Sequence, residues 1–206
     1  MLKISLNAVS KRFQKNWVFK KINADIITGA HCALSGTNGS GKSTLLRIIA
    51  GMQTPTSGEV ILDENGQLIP QEKFFTCLSY TAPGMDLIND FTLIEFFKFH
   101  FSFKKILDDW DIASVIEECG LTPVSDRKLS EFSSGMKQRV KLAQAIFSDT
   151  PILLLDEPCT NLDNAGYEQY SKWINNFCQN RLVIIASNDA KETGSCINFI
   201  ALNDYQ

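Results

Sequence analysis

The chain has 206 residues, 44% hydrophobic and 21% charged, enough for one sizeable core and too well balanced for a disordered or low-complexity chain. A net charge of −3 gives no electrostatic reason to expect nucleic acid as the main partner. The six cysteines form no C-x-x-C pair and no apolar run approaches about 18 residues, so buried thiols are expected, with neither a zinc site, a disulfide framework nor direct membrane insertion.

Leu2, Ile4, Leu6 and Ala8 alternate with polar residues, the period of a half-buried strand and not the start of a signal peptide. A second strand is expected around Trp17–Ile27. Phe13 and Trp17 between them suit either a core position or the face of a flat ligand such as adenine. After Thr28-Gly29, the apolar run His31–Leu34 leads into Gly36-Thr-Asn-Gly-Ser-Gly-Lys-Ser-Thr44, and Leu45–Ala50 follows. This reads as strand, glycine-rich turn and helix. Glycines at 36, 39 and 41 let several N–H groups turn inward at the positive end of the helix dipole, a concave site for phosphate. Lys42 would reach the β- and γ-phosphates, Ser43 would complete the shell of a Mg²⁺ ion, and Thr44 would donate to the α-phosphate.

The helix is expected to end near Gly51, followed by a strand Gly58–Asp63, an Asn65-Gly66 hairpin turn and a return strand Gln67–Ile69. Phe74–Tyr80 reads as a further strand, broken by Ala82-Pro83-Gly84. Thr92-Leu-Ile-Glu95 is a capping box that opens a helix to about Phe103, too rich in Phe for one buried stripe. A second helix, about Trp110 to Cys119, stops at Gly120. Ser133-Ser134-Gly135 precedes a helix Met136–Phe147, with Val140, Ala143 and Phe147 inward and Lys137, Arg139 and Lys141 solvated. Ile152–Leu155 is a buried strand with Asp156 and Glu157 at its carboxyl end, where open α/β sheets collect ligands. A helix Asn164–Cys178 and strands Leu182–Ser187 and Ile197–Leu202 complete the chain.

In a phosphate-loop enzyme the Ile152–Asp156 strand adjoins the loop. Asp156 would hold Mg²⁺ through its waters and Glu157 would deprotonate the attacking water. The loop at 36–44, the Ile152–Glu157 strand, Phe132-Ser-Ser-Gly-Met-Lys-Gln138 and Asn161-Leu-Asp163 together resemble, in order, the motifs of the ATP-binding subunits of ABC transporters, over essentially the whole chain. The resemblance implies an α/β P-loop NTPase sandwich: a mostly parallel sheet, an antiparallel β layer near the N-terminus, and an inserted helical subdomain. It implies a single domain over 1–206, with the core at about 1–84 and 150–206 and the helical subdomain at about 85–149.

The family's ATP-binding residues fall on Gly36, Asn38, Gly39, Ser40, Gly41, Lys42, Ser43 and Thr44, with Phe13 as adenine stacker and Trp17 as second choice. ATP and Mg²⁺ are the implied cofactors, the metal held by Ser43 and Asp156. Catalysis would fall to Glu157, Lys42 and Asn188. Ser133 and Gly135 would contact the ATP of the opposite subunit in a homodimer formed on ATP binding, and Asp163 would lie at the seam. A separate transmembrane permease is the implied partner, which puts the chain in the cytoplasm, peripheral on the inner face of the cell membrane. Its coupling helix would dock between Pro83 and the Phe-rich helices. Met136 in the signature segment resembles simpler bacterial exporters.

Four positions depart from the family, Ser134 and Met136 in the signature segment, where Gly and Gln are usual, and two more that shape the hydrolytic site. Asn188 stands where His is usual and Pro83 where Gln is usual. Asn can donate a hydrogen bond but carries no proton or charge, so slow hydrolysis is expected. An alternative reading is a soluble ABC-type switch that dimerises on ATP for assembly or regulation, without transport. An unrelated kinase explains neither Ser133–Gly135 nor Asn161–Asp163.

Overall fold

The computed structural model of the chain describes residues 1–206. Strands β1 (Leu2–Phe13) and β2 (Asn16–Ile27) make a long antiparallel hairpin. Leu2, Ile4 and Leu6 face inward as the alternation predicts, but Ala8 does not: it lies exposed at φ +50°, and Val9 takes the inward position. This is a bulge, with register shifts on both sides of β1. Strand β3 (Cys32–Ser35) and helix α1 (Lys42–Ile49) flank the glycine-rich turn. Strand β4 (Ser57–Glu64) pairs with β1 and turns through Asn65 (φ +54°) and Gly66 (φ +85°) into β5 (Gln67–Ile69), the expected hairpin. Gly58 crosses the β1 bulge so closely that a Cβ there would lie 2.4 Å from the Ala8 carbonyl oxygen.

The expected strand Phe74–Tyr80 is corrected. Phe74–Cys77 is a helical turn, α2, and only Leu78–Thr81 is strand, β6. Phe74 and Leu78 are buried while Phe75 and Thr76 are exposed, so the apolar spacing is that of one helical turn, not of alternation. Helix α3 (Leu93–Phe101) carries the predicted box: Glu95 N–H donates to Thr92 Oγ1, and Thr92 N–H to Glu95 Oε2. Leu93, Phe96 and Phe97 are buried, while Phe99 and Phe103 stack edge-on over the surface at 5.1 Å. Helix α4 (Ile112–Glu118) starts two residues after Trp110, whose ring instead packs on Phe147 and Phe177. Helix α5 (Ser134–Ile146) begins inside the Ser133–Gly135 segment, with Ser133 as its N-cap. Lys141 and Arg139 are half-buried rather than solvated: Lys141 Nζ donates to the Pro83 carbonyl at 2.7 Å and Arg139 pairs with Asp163.

Strand β7 (Ile152–Asp156), helix α6 (Asn164–Phe177) and strands β8 (Leu182–Ala186) and β9 (Asn198–Ala201) follow. One sheet is antiparallel, in the order β2-β1-β4-β5; the other is entirely parallel, β6-β7-β8-β3-β9. Alternation along β7 divides the core. Ile152 and Leu154 join α1 and the inner face of the antiparallel sheet, while Leu153 and Leu155 join α3, α4, α5 and α6 on the opposite face. Strands β7 and β8 are thereby covered on both faces, while the edge strand β9 keeps Asn198 and Phe199 exposed. The buried guanidinium of Arg181 donates to the Ile146 and Ala145 carbonyls and to Thr150 Oγ1, satisfying the last turn of α5.

His100 on α3 meets Ser148 at 2.9 Å, and Ser148 gives its own proton to the Gln144 carbonyl, so the imidazole Nε2–H is the donor to Ser148. Burial pushes the His100 pKa down to about 4, and burial also lowers that of His31. An imidazole whose folded pKa lies below its unfolded value of about 6.5 binds protons preferentially in the unfolded chain between those values. Thermal stability should therefore fall as pH drops from about 6.5 toward 4, and His100→Gln should flatten that slope, with His31 supplying the remainder. Melting temperatures across pH 4–8 on both proteins check this; parallel curves would contradict it.

Candidate functional site

The carboxyl ends of β3, β8 and β7 present their following residues to one side of the molecule. The Ile152–Asp156 strand does not neighbour the strand before the phosphate loop, because β8 lies between them. It is the end of β7 that reaches the loop: Ser43 Oγ, at the first turn of α1, donates to Asp156 Oδ1 at 2.9 Å. Asp156 is buried, which raises its pKa, and neighbouring Glu157 adds to this; the Ser43 hydrogen bond, Arg47 and Lys42 pull the other way.

Gly41 caps α1 at φ +103°, and a Cβ there would come within 2.5 Å of Val18 Cγ1 and 2.9 Å of the Phe19 ring. The close approach of β2 thus requires glycine. Gly39, at φ +83°, instead faces open space. Lys42 is buried, and its ammonium donates to the carbonyls of Gly36 (2.7 Å) and Thr37 (3.2 Å), closing the loop on itself. Ser40 lies beneath the loop with an unpartnered hydroxyl.

A cavity of about 390 Å³ lies over this loop, lined by Asn38, Gly39, Gly41, Lys42, Ser43 and Thr44, with Phe13 and Val18 on one side and Glu157 on the other. Phe13 is half exposed there; Trp17 stays outside, between the Arg12 guanidinium (5.2 Å) and the Lys20 ammonium (5.7 Å). Glu157 adopts φ +43° and its N–H donates to the Ala186 carbonyl, tying the ends of β7 and β8. Asn188 Nδ2 donates to Asn38 Oδ1 at 3.0 Å, so Asn188 reaches the loop from the end of β8. Glu157, Asn38 and Asn188 also line an adjoining cavity of about 200 Å³.

Ser133 and Gly135 line neither cavity; they are exposed or half-buried at the N-terminus of α5, where Ser133 Oγ accepts from Met136 N–H. Gly135 packs under Asn161, whose carbonyl would sit 3.1 Å from a Cβ at that position. Asp163 caps α6 and lies 3.5 Å from Arg139.

The residues fit the ligands that the sequence suggests. The first N–H groups of α1 have no intrahelical acceptor and suit phosphate. Ser43 and Asp156 offer hard oxygens of the kind Mg²⁺ takes. Phe13 offers an aromatic face at the cavity's other end.

The sequence model of the family described as ABC transporter matches residues 19–160. The chain belongs to the ABC transporter family. It is 36% identical over 158 residues to the uncharacterised ABC transporter ATP-binding protein YybJ of Bacillus subtilis, covering 77% of this chain and 72% of that protein. To the sulfate/thiosulfate import ATP-binding protein CysA of Thermosynechococcus vestitus it is 33% identical over 177 residues, 83% of this chain but only 52% of that one. Among solved structures, a putative ABC transporter ATP-binding protein from Pyrococcus furiosus superposes with a TM-score of 0.82 at 25% identity, over 99% of both chains. The dimeric ABC cassette MJ0796 superposes at 0.81 over 96% of this chain and 93% of that one; at 21% identity it shows the fold alone. The chain is therefore an α/β P-loop ATPase cassette, an ATP-binding subunit of ABC transporter type. No helix in it is long and apolar enough to cross a membrane.

Two residues with a bearing on this cassette's site carry no motif in the sequence. Glu192 lines the smaller cavity. Asn203, in the final 3₁₀ turn, accepts from Thr37 N–H (3.3 Å) and Thr37 Oγ1 (3.4 Å), holding the phosphate loop from 166 positions away. Each such bond contributes about 0.5–1.5 kcal/mol net. Asn203→Ala is expected to weaken ATP binding by about threefold to tenfold, with far-ultraviolet circular dichroism unchanged. Titration calorimetry with ATP checks this; an unaltered affinity would show the contact to be idle.

Proposed function

We propose that this cassette binds Mg-ATP in the cavity over residues 36–44, pairs head to tail with a second copy, and uses hydrolysis to energise a separate transmembrane subunit. The observation that carries the reading is the Ser43–Asp156 hydrogen bond beside Glu157 at the phosphate loop, which supports reading Ser43 and Asp156 as the metal pair and Glu157 as the base. In it, Phe13 stacks on adenine, and the amides of Gly36 to Thr44, including Asn38, Gly39, Ser40 and Gly41, cradle the phosphates. Lys42 leaves the loop carbonyls for the β- and γ-phosphates. Ser43 and Asp156 would hold Mg²⁺, which when bound would offset the charge of the phosphates. Glu157 accepts a proton from the attacking water, and Asn188 donates a hydrogen bond to the γ-phosphate. Ser133 and Gly135, at a helix N-terminus facing away from their own cavity, contact the ATP of the opposite copy. Asp163 lies at the seam.

The division into a core (about 1–84 and 150–206) and a helical subdomain (about 85–149) belongs to the same reading. The transmembrane partner would dock by a coupling helix on the cytoplasmic face of the membrane, in the groove beside Pro83. A largely apolar cavity of about 240 Å³ lined by Met52, Phe75, Met85 and His100, though not by Pro83 itself, supports this, with Phe75 68% exposed. Export is the direction we propose, from Met136 in the signature segment. The import proteins among the relatives are matched over only about half their length.

Asn188 in place of His removes a charged donor from the γ-phosphate. Loss of one such positioning donor costs about 2.7–4 kcal/mol in comparable sites, a few hundredfold in rate. Asn188→His, at an exposed position, should then raise phosphate release by at least about tenfold.

Light scattering after size exclusion, with phosphate release followed on the same samples, tests the whole reading. Mg-ATP should drive dimers, Glu157→Gln should trap them, and release should vanish in that variant. Dimers without release above the mutant's would favour the soluble dimerisation switch, and a monomer that hydrolyses ATP would overturn the shared site. Because burial raises the Asp156 pKa, Mg²⁺ affinity should begin to fall with decreasing pH above the pH at which an ordinary Asp is protonated. Mg²⁺ titrations at successively lower pH should show that decline, absent in Asp156→Asn.

A further inference from the structure

Asn188 sits on the segment after β8, and Cys159–Asp163 is the loop that leads from Glu157 into α6; nothing in the sequence joins them. In the structure one side chain does. Glu192 is 5% exposed, and its Oε1 accepts the Cys159 N–H at 2.8 Å. Its backbone is fixed in turn: its N–H donates to the Asp189 carbonyl, and its carbonyl accepts the Tyr170 hydroxyl at 3.1 Å. Tyr167, one turn earlier on α6, donates to Asp189 Oδ2 at 2.8 Å, so the helix that follows the loop also holds the residue next to Asn188. Glu192 Oε2 is buried without a hydrogen-bond partner and borders the cavity that Glu157 and Asn188 share.

We infer that Glu192 is a positioning residue that joins the Cys159–Asp163 loop to the Asn188 segment, so that displacement of the loop when two copies close over ATP resets Asn188 against the γ-phosphate. This rests on the proposed pairing of two cassettes. The junction is one hydrogen bond to a backbone amide, and its loss leaves a buried N–H unpaired. Burial, reinforced by Asp189 and Glu157 and opposed by Ser187 and the Cys159 N–H, raises the pKa of this carboxyl. A carboxamide oxygen accepts from an N–H as a carboxyl oxygen does, so an amide can replace the acceptor at Oε1.

Hydrogen exchange measured on peptides covering 157–163 and 187–193, with and without Mg-ATP, tests the junction in wild type, Glu192→Gln and Glu192→Ala, with light scattering on each sample. In wild type and Glu192→Gln both peptides should gain protection together, by equal factors within about twofold. In Glu192→Ala the 157–163 peptide should still respond to ATP, while the response at 187–193 falls at least about fivefold. Dimers of Glu192→Ala in which both peptides respond as in wild type overturn the inference, as does a Glu192→Gln protein as uncoupled as Glu192→Ala. If wild type itself forms no dimer and neither peptide responds, the pairing has failed, and the junction with it.

Discussion

Parallel strands covered on both faces, as β7 and β8 are here, meet solvent only at their ends. That constraint determines where this protein can do chemistry. With α1 and the antiparallel sheet on one face of β7 and four helices on the other, a polar side chain in the middle of β7 or β8 would be buried without a partner. Polar groups accordingly begin at Asp156 and Ser187, the last residue of one strand and the first beyond the other. The phosphate loop begins in the same way, just after Ser35. Lys42, Ser43, Asp156, Glu157 and Asn188 come from three separate stretches of chain, yet share one edge of the molecule for this reason.

The electrostatics of that edge follow from its depth. Asp156 is nearly inaccessible, and burial raises its pKa against the opposing pull of Ser43, Arg47 and Lys42. Lys42 in turn lies on loop carbonyls, which are weaker partners for an ammonium than phosphate oxygens are. The arrangement is held in place by hydrogen bonds in which the Lys42 ammonium donates to carbonyls and the Ser43 hydroxyl donates to Asp156.

Legibility in the sequence followed the range of the interaction. The loop at 36–44, the Thr92–Glu95 box and the Asn65-Gly66 turn are each specified by neighbours within a few positions, and all three form as read. The buried strand before Asp156 was legible because a covered parallel strand is apolar throughout. The Phe74–Tyr80 stretch was misread because a single helical turn leading into a strand leaves too few residues for either period to declare itself. Ala8 was misread because its bulge depends on Gly58, fifty positions later. The partnership of Lys141 with the Pro83 carbonyl, of Asn203 with Thr37 and of Glu192 with Cys159 depends on tertiary placement alone. Charged and amide side chains of that kind read as ordinary surface until the fold is known.

The buried Arg181 has a mechanical consequence for the opposite end of α5. Its guanidinium fastens the last carbonyls of the helix to the start of β8, while the other end carries Ser133 and Gly135. Thirteen helical residues span about 20 Å. A helix pinned at one end over that length acts as a lever with its fulcrum at Arg181: a tilt of about three degrees there sweeps Ser133 through about 1 Å. Small adjustments in how the α-helices seat against the sheet are thus amplified at the tip that carries Ser133 and Gly135, the one we propose meets the other copy.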